Sequence, residues 1–312
     1  MARNKIQSMM NRGEVLLGII NLNKPAGKTS HDMVSFVRRT MGIKRVGHAG
    51  TLDPDATGVL PILVGKATTL SDLLTEKTKT YLATVRLGIE TDTYDISGQV
   101  TGTCKIRPTE TEICRMAERF LGNISQMPPM YSAIKVGGKK LYELARQGQT
   151  VALQPRQVTI YSLSCFNFTE DTFQMEVSCS KGTYIRSLCH DLGRALGTCA
   201  CMESLVRTKS GPFLLENAHT PEEIEEAIHN GAIKQILLPP ETVLSAYKVV
   251  SLTEDTVSKI KNGLRMRPQQ LGITDATEGE CYRLYDGETL LCLVKAIAGE
   301  ESLVLAIDKT FF

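Results

Sequence analysis

His48 to Leu60 reads HAGTLDPDATGVL, and the rest of the chain is best read outward from it. Gly47, Gly50 and Gly58 punctuate its backbone, and Pro54 stands directly after Asp53. Proline disfavours helical geometry in the residue before it, so Asp53 is pushed toward an extended conformation and held off any helix. The segment that follows, Val59 to Val64, is apolar enough to be a buried strand. A loop anchored on such a strand can present a side chain accurately, and catalytic groups commonly sit there. The same residues would also make a tight turn whose aspartate bonds its own backbone, and composition alone leaves both readings open.

Upstream, residues 15 to 22 read as a strand. Thr29 or Ser30 caps a helix to about Thr40, with Met33, Val34, Phe36 and Val37 on one apolar stripe. That helix brings Arg38 and Arg39 to the entrance of the loop. Downstream come a short helix from about Thr68 and a long strand from Thr80 to Ile89. A helix over Thr109 to Leu121 has Glu112 three residues after its cap, the spacing of a capping box. Gly137-Gly138 separates SAIKV from KLYELARQ, which predicts a strand, a turn and a basic helix. Strands over 156 to 168 and 173 to 179, a helix from Tyr184 to Leu196 and a strand from Met202 to Thr208 follow. This order predicts an α+β fold, a mixed, largely antiparallel sheet with flanking helices. Thr220-Pro221-Glu222-Glu223 is a well-formed helix start. A boundary falls near Pro239-Pro240, and residues 247 to 312 carry one helix (about 254 to 261) and several strands, with a hairpin at Asp286-Gly287.

At 312 residues, with 42% hydrophobic and 22% charged, the chain is long enough for a catalytic core plus a small appended module. No apolar run approaches the ~20 residues that cross a bilayer. The polar start, MARNKIQSMMNRGEV, lacks the apolar segment of a signal peptide, so a cytoplasmic protein is expected. Nine cysteines without a CxxC pair suggest free thiols in a reducing compartment rather than a zinc site. Net charge is only +2, which says little about a nucleic-acid partner. Local clustering says more. Residues 38 to 48 hold Arg38, Arg39, Lys44 and Arg45 with no acid, and residues 131 to 156 hold Lys135, Lys139, Lys140, Arg146 and Arg156 against Glu143 alone. Such segments neutralise phosphates, although solvated faces look the same in sequence. AGKTS (Ala26 to Ser30) imitates the end of a phosphate-binding loop, but the first glycine of that motif would fall on Leu22, and Lys24-Pro25 stiffens the segment.

The longer string GHAGTLDPDATGVLPILVGKAT resembles the signature of the TruB family of tRNA pseudouridine synthases. LNKPAGKTS (Leu22 to Ser30), KTYLATVRLGIETDTYD (Lys79 to Asp95), PPMYSAIKVGGKKLYELARQG (Pro128 to Gly148) and CSKGTYIRSLCHDLG (Cys179 to Gly193) resemble further motifs of that family, in order. The resemblance implies an enzyme that isomerises uridine to pseudouridine at position 55, in the T loop of tRNA, by flipping the base out. It implies the pseudouridine synthase fold over residues 15–240, after a flexible N-terminus at 1–14, with an RNA-clamping insertion at 124–152. It further implies a small β-rich, PUA-like RNA-binding domain at 245–312.

Carried over residue by residue, the resemblance makes Asp53 the catalytic carboxylate, paired with Arg186 of GTYIRS. Tyr81 of KTYLAT becomes the active-site tyrosine that stacks on uracil near C5. His48 matches the histidine that fills the gap left by the flipped base, and Tyr184 and Leu205 match positions lining the pocket. Asp92 of ETDTYD is expected to order a loop or contact the nucleotide. Arg38, Arg39, Lys135, Lys139, Lys140 and Arg146 are expected to hold the stem by its phosphates, and the Lys24-Pro25 segment to support the aspartate loop. The isomerisation gains and loses no atom, so no cofactor or metal is expected. The expected partner is the T arm of tRNA, with no membrane, no obligatory protein partner and a monomeric state. Two rivals remain: a guide-RNA-dependent synthase working inside a ribonucleoprotein, disfavoured by the 124–152 insertion, and a tRNA-folding chaperone with a secondary catalytic role.

Overall fold

Three of the helices begin where a threonine stands three residues ahead of an acid. In the computed structural model, which describes residues 16–132, 135–141, 144, 151 and 153–312, Thr29, Thr109 and Thr220 each accept from the backbone N–H three residues on. Asp32, Glu112 and Glu223 reach back to the N–H of the capping residue. These boxes open α1 (Ser30–Met41), α3 (Glu110–Ala117) and α5 (Pro221–Asn230), satisfying donors that a helix start otherwise leaves bare.

The chain runs β1 (Gly18–Lys24), α1, β2 (Val46–His48), β3 (Thr57–Val64), α2 (Ser71–Thr75), β4 (Lys79–Leu87), β5 (Ile89–Thr91), β6 (Val100–Thr103), α3, β7 (Gly122–Gln126), β8 (Lys135–Val136) and β9 (Lys139–Lys140). It continues through β10 (Arg156–Phe166), β11 (Thr172–Cys179), α4 (Ile185–Ala195), β12 (Ala200–Ser210), β13 (Phe213–Leu214), α5, α6 (Ile233–Ile236), β14 (Leu237–Leu238) and α7 (Glu241–Leu244). The last part comprises β15 (Lys248–Ser251), α8 (Glu254–Lys261), β16 (Cys281–Asp286), β17 (Thr289–Ala298) and β18 (Leu303–Thr310).

A ten-stranded sheet has the order β14-β1-β3-β12-β4-β11-β10-β7, with β2 beside β3 and β13 beside β12. Its pairings are antiparallel except β3 with β12, so it is mixed and largely antiparallel as expected. The late strand β12 is inserted between two early ones, which sets Arg207 opposite both Gly58 of β3 and Tyr81 of β4. The apolar run of β3 serves both faces of the sheet. Leu60, Ile62 and Val64 pack with Val34 and Val37 of α1 and Leu188 of α4, whereas Val59 and Leu63 face Leu70, Leu74, Leu290, Leu293 and Phe311. A strand buried on both sides reads as continuous rather than alternating hydrophobicity.

The C-terminal strands form a four-stranded sheet, β15-β16-β17-β18, around its own apolar cluster with α8. It docks on the large sheet through Leu290, Leu293 and Phe311 and through a 2.7 Å ion pair between Lys309 and Asp72.

Two expectations need correction. Past Gly137-Gly138 the chain forms strand β9, paired with β8, before Leu141, the first residue of helical geometry. Both glycines have positive φ, 58° and 84°, the geometry of a tight hairpin turn that returns the chain alongside itself. Nor are all the cysteines free: Cys104 after β6 and Cys199 before β12, 95 residues apart in sequence, form a disulfide, and the other seven are thiols. The expected flexible segment 1–14 and Arg146 lie outside the described residues.

Candidate active site

The loop between β2 and β3 is held at nearly every residue, and the holding groups come from distant parts of the chain. The Ser30 hydroxyl, buried in the first turn of α1, accepts from the Leu52 N–H at 2.9 Å and donates to the Leu52 carbonyl at 3.3 Å. Lys24 has no exposed surface and donates to the carbonyls of Pro25, Lys28 and Pro54, the last at 2.7 Å. Burial lowers its ammonium to about 8. Arg207, 1% exposed, donates to the Val59 carbonyl at 2.7 Å and to the Gly50 carbonyl at 3.1 Å. Gly58 is required where β3 meets β12: its φ is 99°, and a Cβ there would lie 2.3 Å from the Arg207 carbonyl oxygen.

Asp53 stands in the middle of this pinned loop, its side chain 40% exposed, and faces Arg186 in the first turn of α4. Arg186 Nε lies 2.9 Å from Asp53 Oδ2, and Nη2 donates to Oδ1 at 3.2 Å, so the guanidinium grips both carboxylate oxygens. The remaining donors of Arg186 go to the Tyr131 carbonyl at 2.9 Å and the Thr93 carbonyl at 3.2 Å, and Nη1 lies 3.6 Å from Asp95 Oδ2. Desolvation raises the Asp53 carboxyl above its ordinary range; Arg186 works against that rise, and the charge of Asp95 adds to it. The result is an oriented carboxylate whose ionised form is favoured by Arg186 and, further off, by Lys24.

Asp95 was not singled out from the sequence. The motif ETDTYD holds two aspartates, and the one expected to matter, Asp92, is exposed and accepts from the Gln99 N–H at 2.8 Å, closing the loop between β5 and β6. Asp95 is the one that reaches Arg186. Its other oxygen is fixed by the hydroxyls of Thr93 (2.8 Å) and Ser97 (2.6 Å). Two residues separate the aspartates, and spacing alone offers no way to choose between them. Arg207 was missed as well, though a lone arginine in the strand CMESLVRTKS is an available signal.

Tyr81 lies on β4 in register with Arg207. Burial pushes the phenol up, so it is protonated at neutral pH. Tyr184 precedes α4; its N–H donates to Gln126 Oε1 at 2.8 Å and its carbonyl accepts from Gln126 Nε2 at 3.0 Å. Leu205 on β12 is 7% exposed and belongs to the main core. His48 ends β2 with Nδ1 buried and unbonded, and burial lowers its pKa. Of the basic residues, Arg38 spends Nη2 on the Val46 carbonyl at 2.7 Å and Arg39 is exposed. Lys135, Lys139 and Lys140 belong to the β8–β9 hairpin. Among the described residues, no group of three or more His, Cys, Asp or Glu side chains is arranged to hold a metal ion.

Comparison with known proteins bears on what this site does. The family model for the N-terminal domain of TruB family pseudouridylate synthases matches residues 38–185, and that for the tRNA pseudouridylate synthase B C-terminal domain matches residues 186–245. The chain is 47% identical over 251 residues to tRNA pseudouridine synthase B of Dehalococcoides mccartyi, covering 80% of this chain and 83% of that one. It is 45% identical to the Bacillus cereus protein of the same name, covering 82% and 86%. Among solved structures it resembles an H/ACA ribonucleoprotein bound to a substrate RNA containing 2′-deoxyuridine, with TM-score 0.72, 25% identity and coverage of 97% and 87%. It also resembles the archaeal box H/ACA Nop10–Cbf5 complex, with TM-score 0.71, 25% identity and coverage of 97% and 88%.

Proposed function

Because the chain belongs to the TruB family of pseudouridylate synthases, we propose that Asp53 is its catalytic carboxylate and that uridine 55, in the T loop of tRNA, is the base it isomerises. The chain is a tRNA pseudouridine synthase, an isomerase. The observation that carries the assignment of Asp53 is the two-point grip of Arg186 on its carboxylate.

The reaction breaks the bond from N1 to C1′, turns the uracil, and joins C5 to C1′; the proton leaving C5 is balanced by one gained at N1. An ionised Asp53 supports the electron-poor C1′, either by adding to it or by taking a proton from C2′. Arg186 keeps that carboxylate charged and aimed. Tyr81, a neutral phenol, stacks on the detached base with its hydroxyl toward C5, and Leu205 and Tyr184 close the pocket. Extruding the base from the T loop costs roughly a few kcal/mol, and neutral His48 fills the space it leaves. Arg38 and Arg39, with Lys135, Lys139, Lys140 and Arg146 of the 124–152 insertion, grip the stem, and residues 245–312 act as a PUA-like RNA-binding unit.

The enzyme works in the cytoplasm as a monomer without an obligatory protein partner. Higher identity to the tRNA synthases than to the ribonucleoprotein enzymes, 47% against 25%, supports that reading. No helix among the described residues is long and apolar enough to cross a membrane. The test is to incubate the purified protein alone with a T-arm hairpin RNA and map pseudouridine. Conversion of the single uridine at position 55 is expected. Conversion only after a guide RNA or protein partner is added would overturn the stand-alone reading.

A further inference from the structure

The loop that brings Thr93 and Asp95 to Arg186 is docked on two sides. On one side it pairs with β12: Ile96 N–H donates to the Met202 carbonyl at 2.8 Å, and Met202 N–H to the Tyr94 carbonyl at 2.9 Å. On the other side the Tyr94 ring lies flat on the ring of His190, with centroids 4.1 Å apart and planes 21° from parallel. Tyr94 has a φ of 62°, a left-handed conformation that few non-glycine residues adopt, so surrounding contacts must hold it there. His190 stands one turn after Arg186 on α4, on the same face of the helix.

Both nitrogens of His190 face carboxylates. Nε2 lies 3.2 Å from Glu90 Oε1 on β5, and Nδ1 lies 3.4 Å from Asp191 Oδ1 on α4. Arg194, a turn further along α4, lies 3.8 Å from the other oxygen of Glu90. Among the described residues, the Tyr94 phenol also stands against the ring. Glu112 and Arg115 of α3, with Arg119 just after it, line one cavity with Ala195 and Leu196 at the end of α4, beyond His190. An imidazolium can donate to both carboxylates and carries its charge under an aromatic face; a neutral ring can donate to only one.

We propose that His190 is a positioning residue for the isomerisation: as an imidazolium held between Glu90 and Asp191 beneath Tyr94, it fixes the loop through which Thr93 and Asp95 set Arg186 on Asp53. Deprotonation slackens that hold. The two carboxylates raise the pKa of His190 above the ordinary value despite its burial, which moves the transition to higher pH.

This proposal rests on Asp53 and Arg186 being the reacting pair, and the experiment separates the two claims. Single-turnover rates at saturating T-arm RNA are measured from about pH 6 to about pH 9, spanning the titration of a histidine with raised pKa. The parent, His190→Gln, Tyr94→Phe, Tyr94→Ala and Asp53→Asn are compared, with the RNA dissociation constant measured alongside. The parent rate should fall about five-fold across this range at unchanged RNA affinity, the scale of one lost charge-assisted contact. His190→Gln should be flat at the parent's alkaline rate, Tyr94→Phe should keep the parent profile, and Tyr94→Ala should match His190→Gln.

A parent-like pH profile in His190→Gln, or an effect on RNA affinity alone, overturns the proposal. Should His190→Gln fail to fold, the two Tyr94 variants decide the matter, because only the loss of the ring should flatten the profile. Turnover by Asp53→Asn would remove the premise instead, whereas an inactive Asp53→Asn beside an unaltered His190→Gln removes the His190 role alone.

Discussion

The buried ammonium of Lys24 donates to the carbonyl oxygen of Pro54 at 2.7 Å, so the end of β1 holds the residue immediately after Asp53. The same ammonium serves the carbonyls of Pro25 and Lys28. Lys24→Met keeps the volume and removes the one donor shared by three carbonyls. Relief of the buried charge offsets part of that cost, leaving a stability loss of about 2 kcal/mol, read as a lower urea midpoint at constant slope. Turnover should fall as well, because the peptide next to Asp53 loses its anchor. An unchanged midpoint together with parental turnover would show that this contact does not hold the loop.

Asp95 shares Arg186 with Asp53, so Asp95→Asn has a signed consequence for pH dependence. The charge of Asp95 is one of the causes raising the Asp53 carboxyl. Removing it lowers that pKa, and the acid limb of the pH–rate profile, which follows ionisation of Asp53, should move to lower pH. The maximal rate should fall about ten-fold as Arg186 loses one of its fixed points, with RNA affinity within a few-fold. An acid limb that moves to higher pH, or stays in place, would contradict this wiring.

If the β8–β9 hairpin and its neighbourhood clamp the T stem, changing Lys135, Lys139, Lys140 and Arg146 to alanine should weaken RNA binding. It should also flatten the salt dependence, since each phosphate contact contributes about 0.7 to 0.9 to the slope of log K against log salt. Turnover at saturating RNA should change much less. A slope equal to the parent's would transfer the grip to Arg39 and its neighbours or to the C-terminal sheet.

What the sequence discloses about this molecule is mostly local. The capping boxes at Thr29, Thr109 and Thr220 are complete within four residues, and the helix starts could be read there. The buried run of β3 likewise announces itself. The arrangement of β12 between β3 and β4 depends on pairings more than a hundred residues apart, and with it the placement of Arg207 against Gly50 and Tyr81. The Cys104–Cys199 bond and the choice of Asp95 over Asp92 fail to show for the same reason: each is decided by a neighbour that only the tertiary fold supplies. The Gly137-Gly138 turn was legible as a turn, but two positive-φ glycines in succession call for a hairpin, a consequence that the helix-like KLYELARQ obscured.

The most direct measurement compares the parent with Asp53→Asn on a T-arm hairpin, scoring pseudouridine and RNA affinity in the same preparations. The carboxylate serves the reaction and phosphate contacts carry most of the binding, so the variant should form no product while its dissociation constant stays within about three-fold of the parent's. Pseudouridine above trace from Asp53→Asn would contradict the account.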